Sequence, residues 1–247
     1  MTAVLDHCTV YTSELGESRR FYELAFESIG FAGTPYSDGA FAEWNDFSIA
    51  RARDDRPATR GLHVAFAAPS HAHVDAFWSA LTGAGYRDDG APGLRPHYRA
   101  EYYGAFVLDP DGNSTEAVHH DALRTDGGVI DHLWLRTRRL TAIRDFYETI
   151  APTVGIELRV DEPERVAWRH GRGSFTFVAG EPTEHAHLAF AAQDNAAVRE
   201  FHRLALGAGY RDNGAPGERP EYHAGYYAAY VRDPDGHNVE AVCHNRD

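Results

Sequence analysis

Gly83 to His120 reads GAGYRDDGAPGLRPHYRAEYYGAFVLDPDGNSTEAVHH, and Gly207 to His244 reads GAGYRDNGAPGERPEYHAGYYAAYVRDPDGHNVEAVCH; the two agree at 26 of 38 aligned positions. Agreement that dense over turn residues, aromatics and one carboxylate (Glu116, Glu240) identifies two copies of one structural unit.

Working outward, the flanking sequence repeats as well. Ala3 to Thr12 alternates and is rich in Val, Thr and Tyr, which predicts a strand with Leu5, His7, Thr9 and Tyr11 on one face. Ser13 is the expected N-cap of a helix carrying Leu15, Arg19, Tyr22 and Phe26, stopped by Gly30. Short strands are expected over 39–44 and 47–51. Gly61 to Ala67 restarts the order, Ser70 is placed to cap a helix with Val74, Phe77, Trp78 and Leu81 on one side, and 90–96 reads as a turn-rich excursion. Strands over 102–108 and 114–118, joined by the Asp109–Gly112 turn, close the unit. The second half matches with strands over 129–137, 166–170, 174–179 and 186–192 and helices over 140–150 and 194–206.

The expected class is therefore α+β, with four βαβββ modules. Modules at 1–57 and 58–120 form a first domain, 121–128 a polar linker, and modules at 129–181 and 182–247 a second domain. Linkers of similar length between successive modules leave two pairings open. Each half closes on itself, or the first module pairs with the fourth and the second with the third.

Composition narrows the partners. A net charge of −13 argues against nucleic acid or an anionic membrane, since either needs clustered basic groups, and points to a small-molecule substrate. All 24 cationic side chains are Arg, which excludes Schiff-base chemistry through a lysine amine. Cys8 and Cys243 are too few and too far apart for a disulfide scaffold or a zinc cluster, and both are expected to be buried and inert. Without a signal-like start or a long apolar run, the expectation is a cytoplasmic protein, monomeric or homodimeric.

The chemistry concentrates on six residues. His7, His63 and Glu116 lie on the first, restarted and last strands of one half, 56 and 53 residues apart; His132, His187 and Glu240 repeat them at 55 and 53. Small neighbours on the same face, Ala65 and Ala67 beside His63 and Ala189 and Ala191 beside His187, leave room for a ligand. A lone strand histidine is ordinarily a hydrogen-bonded core residue. Two imidazoles and a carboxylate recurring twice are the set expected of a divalent-metal site (Fe, Mn, Co, Ni or Zn) with coordination positions open for substrate. Arg95, Tyr98, Tyr102 and their counterparts Arg219, Tyr222, Tyr226 are candidate substrate-binding residues, as are Trp134 and Arg136. Glu116, Glu240 and His223 are the acid–base candidates. His185 is the extra histidine within reach of the second triad, whereas His119 and His120 read as a solvated linker and His71 and His73 as the first turn of a helix. Arg99 stands where the other copy has His223, and Glu101 where it has Gly225, so the two sites are not expected to work alike.

The openings LDHCTVYTSELGESRRFYE and IDHLWLRTRRLTAIRDFYE, the restarts GLHVAF and HAHLAF, and the endings DPDGNSTEAV and DPDGHNVEAV resemble the vicinal oxygen chelate superfamily of glyoxalases, bleomycin-resistance proteins, fosfomycin-resistance enzymes and extradiol dioxygenases. The resemblance implies two glyoxalase-like, half-open barrels with helices outside, around a divalent metal held at His7, His63, Glu116, His132, His187 and Glu240. It implies a metal-dependent dioxygenase, or a glyoxalase-like lyase or isomerase, acting on a small oxygenated molecule. The rival implication is a metal-free antibiotic-binding protein of the bleomycin-resistance type. Neither 47–51 nor 175–179 contains the additional acid of glyoxalase I-like members, and the lysine on which fosfomycin-resistance relatives lean is absent. Extradiol dioxygenases carry one working site in a longer second half, whereas here both short halves keep the triad.

Overall fold

The computed structural model describes residues 5–31, 35–37, 39–121, 128–170 and 173–245. Among them the first module comprises β1 (His7–Thr12), α1 (Leu15–Ser28), β2 (Tyr36–Ser37), β3 (Phe41–Trp44) and β4 (Phe47–Arg51). The second comprises β5 (His63–Ala67), α2 (His71–Gly83), β6 (Asp88–Leu94), β7 (Tyr103–Leu108) and β8 (Ser114–His119). The third has β9 (Ile130–Thr137), α3 (Leu140–Val154), β10 (Glu157–Glu162), β11 (Arg165–His170) and β12 (Gly173–Ala179); the fourth has β13 (His187–Ala191), α4 (Asn195–Gly207), β14 (Arg211–Glu218), β15 (Tyr227–Arg232) and β16 (Asn238–Cys243). The linker expected at 121–128 lies almost wholly outside the described residues, as does the start of the first expected strand. No helix among the described residues is long and apolar enough to cross a membrane.

Two eight-stranded sheets result, in the orders β14-β15-β16-β13-β1-β4-β3-β2 and β10-β11-β12-β9-β5-β8-β7-β6. Of the two pairings open from sequence, the strands adopt the exchanged one: first module with fourth, second with third. Neither sheet closes into a barrel. By Cα proximity the chain divides into a unit of 9–134 and a unit of 1–8 with 135–247.

Within the 9–134 unit, α1 and α2 pack together, and Phe21, Tyr22, Phe26, Trp44, Phe47 and Phe66 are buried in one aromatic cluster. Phe66 is three residues from His63 on β5 and so points to the opposite face. The helix-covered core occupies one face of this sheet segment and the histidine the other. In the second unit Phe146, Tyr147, Trp168, Phe175 and Phe190 play the same part. The Asp-Pro-Asp-Gly turns deliver the last strands. The Asp109 carboxylate accepts the backbone N–H groups of Asp111 (2.9 Å) and Asn113 (2.8 Å) and the Tyr22 hydroxyl (2.9 Å), and burial pushes its carboxyl up. Gly112, at φ 84°, supplies the left-handed step that ends the turn. Asp233 repeats this with Asp235 and His237.

Several local expectations change. The 90–96 excursion is largely strand: β6 pairs with β7 through register shifts at Asp88/Gly90 and Gly90/Gly93, so its irregular Gly-Ala-Pro-Gly pattern conceals an edge strand. β10 was not anticipated, because its charged ELRVDE sequence lacks the apolar run of a buried strand; it pairs only with β11 at the sheet edge. Glu14, not Ser13, precedes α1, and the Ser13 hydroxyl accepts from Arg60 Nη2 at 3.1 Å instead of capping the helix. Ser70 does precede α2, but its hydroxyl bonds His73 Nδ1 at 2.9 Å rather than capping the backbone. Helix α3 runs past Ile150 to Val154, with Pro152 inside it and Gly155 at φ 70° ending it.

Candidate metal centre

Register explains how the triads assemble. Ala65 on β5 pairs in parallel with Glu116 on β8 and antiparallel with His132 on β9, while His63 is two residues along on the same face. One small residue is thus flanked by two donors with a third beside it. On the other sheet Ala189 pairs with Glu240, and its carbonyl accepts the Asp6 backbone N–H at 2.8 Å, which brings His7 alongside. The six residues gather as His63, Glu116, His132 and as His7, His187, Glu240, each set with its ligand atoms within 4.8 Å of one another. The partners are exchanged between halves relative to the order of the chain.

In the second set, His187 Nε2 lies 3.0 Å and His7 Nε2 3.7 Å from Glu240 Oε2, and the two nitrogens are 3.2 Å apart. In the first, Glu116 Oε2 is 3.1 Å from His63 Nε2 and 3.6 Å from His132 Nε2. Two donors each about 2.1 Å from one cation stand about 3.0–3.4 Å apart at octahedral or tetrahedral angles; the 3.0, 3.1 and 3.2 Å spacings fall in that range, and the 3.6 and 3.7 Å contacts of His132 and His7 lie just beyond it.

The surrounding bonds present lone pairs inward. His7 Nδ1–H donates to Asp6 (2.9 Å) and His132 Nδ1–H to Asp131 (2.8 Å). Ser114 gives its only proton to Asp89 (2.7 Å) and so accepts from His63 Nδ1–H (3.2 Å). In all three, the proton on Nδ1 places the lone pair on Nε2, the tautomer a metal requires. The Asn238 amide faces His187 Nδ1 at 2.6 Å. Each glutamate is 1% exposed, and its other oxygen is held by a buried tyrosine: Tyr102 OH donates to Glu116 Oε1 (2.7 Å) and Tyr226 OH to Glu240 Oε1 (2.6 Å). Convergence of a carboxylate oxygen and two imidazole lone pairs in a buried place is chemistry that a divalent cation satisfies.

The two sites differ electrostatically. Burial pushes Glu116 up to about 7, against the opposing His132 charge and the Tyr102 hydrogen bond, while nearby Asp131 adds repulsion. Burial also raises Glu240, but hydrogen bonding and charge from His187 and His7 outweigh it and hold the carboxyl below its ordinary value. Burial lowers His187. Asp6 and Asp131 are held well below the usual range: burial opposes this, but hydrogen bonds from His244 and His7, and from His120 and His132, prevail.

The remaining predicted residues divide. Tyr102 and Tyr226 hold the glutamates. Tyr98 is 50% exposed and stands edge-on to Trp134 at 5.9 Å, and Trp134 lies 6.3 Å from the rings of both His63 and His132. Tyr222 is 60% exposed over Tyr226. Arg95 and Arg219 lie over Phe106 and Tyr230. His223 bonds His244 Nδ1 at 2.8 Å, and His244 Nε2 reaches Asp6 at 2.9 Å. Arg136 is exposed along Gly180, outside both triads; His185 is exposed too, at φ 56°, and belongs to neither. His119 and His120 are not solvated: His119 Nδ1 bonds the Ala68 carbonyl, and His120 contacts Asp131 and stacks on Tyr102. His71 stacks on Tyr103 at 4.1 Å. Both cysteines are buried. Sequence reasoning missed Asp6 and Asp131. The signal was available, since each precedes the first histidine of its half.

The family model for the Glyoxalase/Bleomycin resistance protein/Dioxygenase superfamily matches residues 4–117 and again 129–241. Glyoxalase I from Zea mays superposes with a TM-score of 0.68 at 17% identity, over 98% of this chain and 93% of its own. A dioxygenase-like protein from Bacillus subtilis subsp. subtilis str. 168 gives 0.65 at 14% identity, over 99% and 86%. No curated protein matches at a significant level. At these identities the superpositions speak for the fold, whereas the doubled family match covers most of the sequence: the chain belongs to the Glyoxalase/Bleomycin resistance protein/Dioxygenase superfamily.

Proposed function

We propose that the protein is a divalent-metal-dependent enzyme acting on a small oxygenated organic molecule, as a dioxygenase or as a glyoxalase-like lyase or isomerase. The observation that carries this reading is the pair of triads whose donors converge within 4.8 Å with their outer hydrogen bonds already made. A cation held by His63, Glu116 and His132, or by His7, His187 and Glu240, would supply Lewis-acid polarisation of adjacent substrate oxygens. The protein does the rest. Tyr102 and Tyr226 fix the carboxylates, Asp131 and Asp6 fix the imidazoles His132 and His7, and burial keeps water from the two glutamates. Trp134 and Tyr98 wall one site and offer an aromatic surface to substrate. At the other, the His223–His244–Asp6 line connects a half-buried imidazole to His7 and can carry a proton.

Metal analysis of chelator-free protein tests this. Two equivalents of Fe, Mn, Co, Ni or Zn are expected, falling to one in His63→Ala or His187→Ala and to none in the double variant. Failure to take up metal on reconstitution would sink the proposal and favour the antibiotic-binding alternative. Oxygen uptake with catechols under Fe(II) then separates dioxygenase from lyase.

A further inference from the structure

We propose that Arg95 and Arg219 are carboxylate-recognition groups, one at each site, so that the substrate is a small oxygenated molecule bearing a carboxylate. This deepens, and rests on, the reading of the triads as metal sites. Each guanidinium lies 5.5 Å over a ring, Phe106 in one copy and Tyr230 in the other. Those rings are cross-strand neighbours of Glu116 and Glu240 and lie 5.9 Å and 6.4 Å from the rings of His63 and His187. The arginine backbone is tied to the same machinery: Arg95 N–H donates to the Tyr102 carbonyl (2.7 Å) and Arg219 N–H to the Tyr226 carbonyl (2.8 Å), and these tyrosines hold the glutamates.

The guanidinium is set in place but not neutralised. Nη2 donates to a carbonyl four residues back, Ala91 or Ala215, at 2.7 Å in both copies, and Nη1 to Leu94 or Glu218. A Cβ at Gly93 or Gly217 would stand 2.9 Å from Nη1, so the glycines make the room it occupies. Neither side chain has an acidic ion-pair partner among the described residues, and neutral carbonyls leave the full charge and three of five N–H groups in use for nothing else. In a chain of net charge −13 this is a cation kept free beside a metal site. A loop clasp would need only the two carbonyl bonds. The same pose over two different rings, each next to a triad, leaves N–H groups with which a guanidinium takes a carboxylate bidentately.

The test uses the full chain, metal-loaded and metal-free, with catechol and 3,4-dihydroxybenzoate as probes that differ by one carboxylate, titrated calorimetrically. Wild type is expected to bind the carboxylate probe about tenfold more tightly than catechol, and Arg95→Gln/Arg219→Gln to lose that preference with metal content unchanged. Arg95→Lys/Arg219→Lys is expected to keep about a third of it, which guards against misreading a folding defect. Equal affinities in wild type, or a preference that survives in the Gln variant, would overturn the inference. If the protein takes up no metal, the metal-site reading fails on that measurement, while the carboxylate preference is still read on the metal-free chain.

Discussion

Glu116 and Glu240 occupy equivalent places, yet their surroundings push them in opposite directions, and that difference is measurable. Glu116 is shifted up from 4.5 to about 7. For a raised pKa the contribution to stability is present below the unfolded value and lost as pH rises through the folded one. In chelator-treated protein, wild type should therefore lose about 3 kcal/mol relative to Glu116→Gln as the pH rises from about 4.5 to above 7, read by urea denaturation. Glu240 is shifted down, so its contribution is present above the ordinary carboxylate range and lost as pH falls; Glu240→Gln should remove an acid-side loss instead. A further test concerns the tyrosine that fixes the second carboxylate. Tyr226→Phe leaves Glu240 Oε1 without its 2.6 Å donor and should weaken one of two metal equivalents about 10–100-fold without touching the other. Equal weakening of both equivalents would contradict the assignment of Tyr226 to a single site.

At the scale of elements, the strands that carry donors are regular and those that shape the rim are not. β5, β8, β13 and β16 read plainly from sequence because alternating apolar residues face a helix-covered core. β6 and β14 were hidden because glycines and a proline replace that alternation; they form only because β7 and β15 offer continuous partners. The two copies also part at a turn. Gly225, where the other copy has Glu101, sits at φ 82°, and a Cβ there would lie 2.9 Å from the His244 carbonyl oxygen. Gly225→Ala should cost about 1–3 kcal/mol, seen as a fall of a few degrees in Tm, whereas Glu101→Ala should be nearly neutral.

For the whole molecule, the exchanged pairing means that neither half of the sequence holds a complete triad. Residues 1–121 contain His7, His63 and Glu116 but not His132; residues 128–247 contain His132, His187 and Glu240 but not His7. A half produced alone should bind metal more than about tenfold more weakly than the full chain, since each site lacks one of three ligands. If a half does take up metal, light scattering should show its mass doubled, because only a second copy can supply the missing histidine. Tight binding by a monomeric half would contradict the strand order.

The sequence by itself determined the four modules, the α+β class, the six His and Glu residues that gather in the two candidate sites and the turns that position the glutamates. Each of these is written in local periodicity, in Asp and Gly at fixed turn positions, and in a repeat that returns the same residue types at the same spacings. Only the tertiary structure decided which histidine joins which glutamate. The alternation that makes β1 or β9 a strand is the same whichever neighbour it meets, and the choice is made by contacts at the centre of each sheet, such as the hydrogen bond from Asp6 N–H to Ala189 and the pairing of His132 with Ala65. The tertiary structure likewise set Asp6 and Asp131 behind the imidazoles, opposed the shifts of Glu116 and Glu240, and left Arg95 and Arg219 charged beside the sites. Burial and distance govern those properties, and neither is encoded in any single stretch of chain.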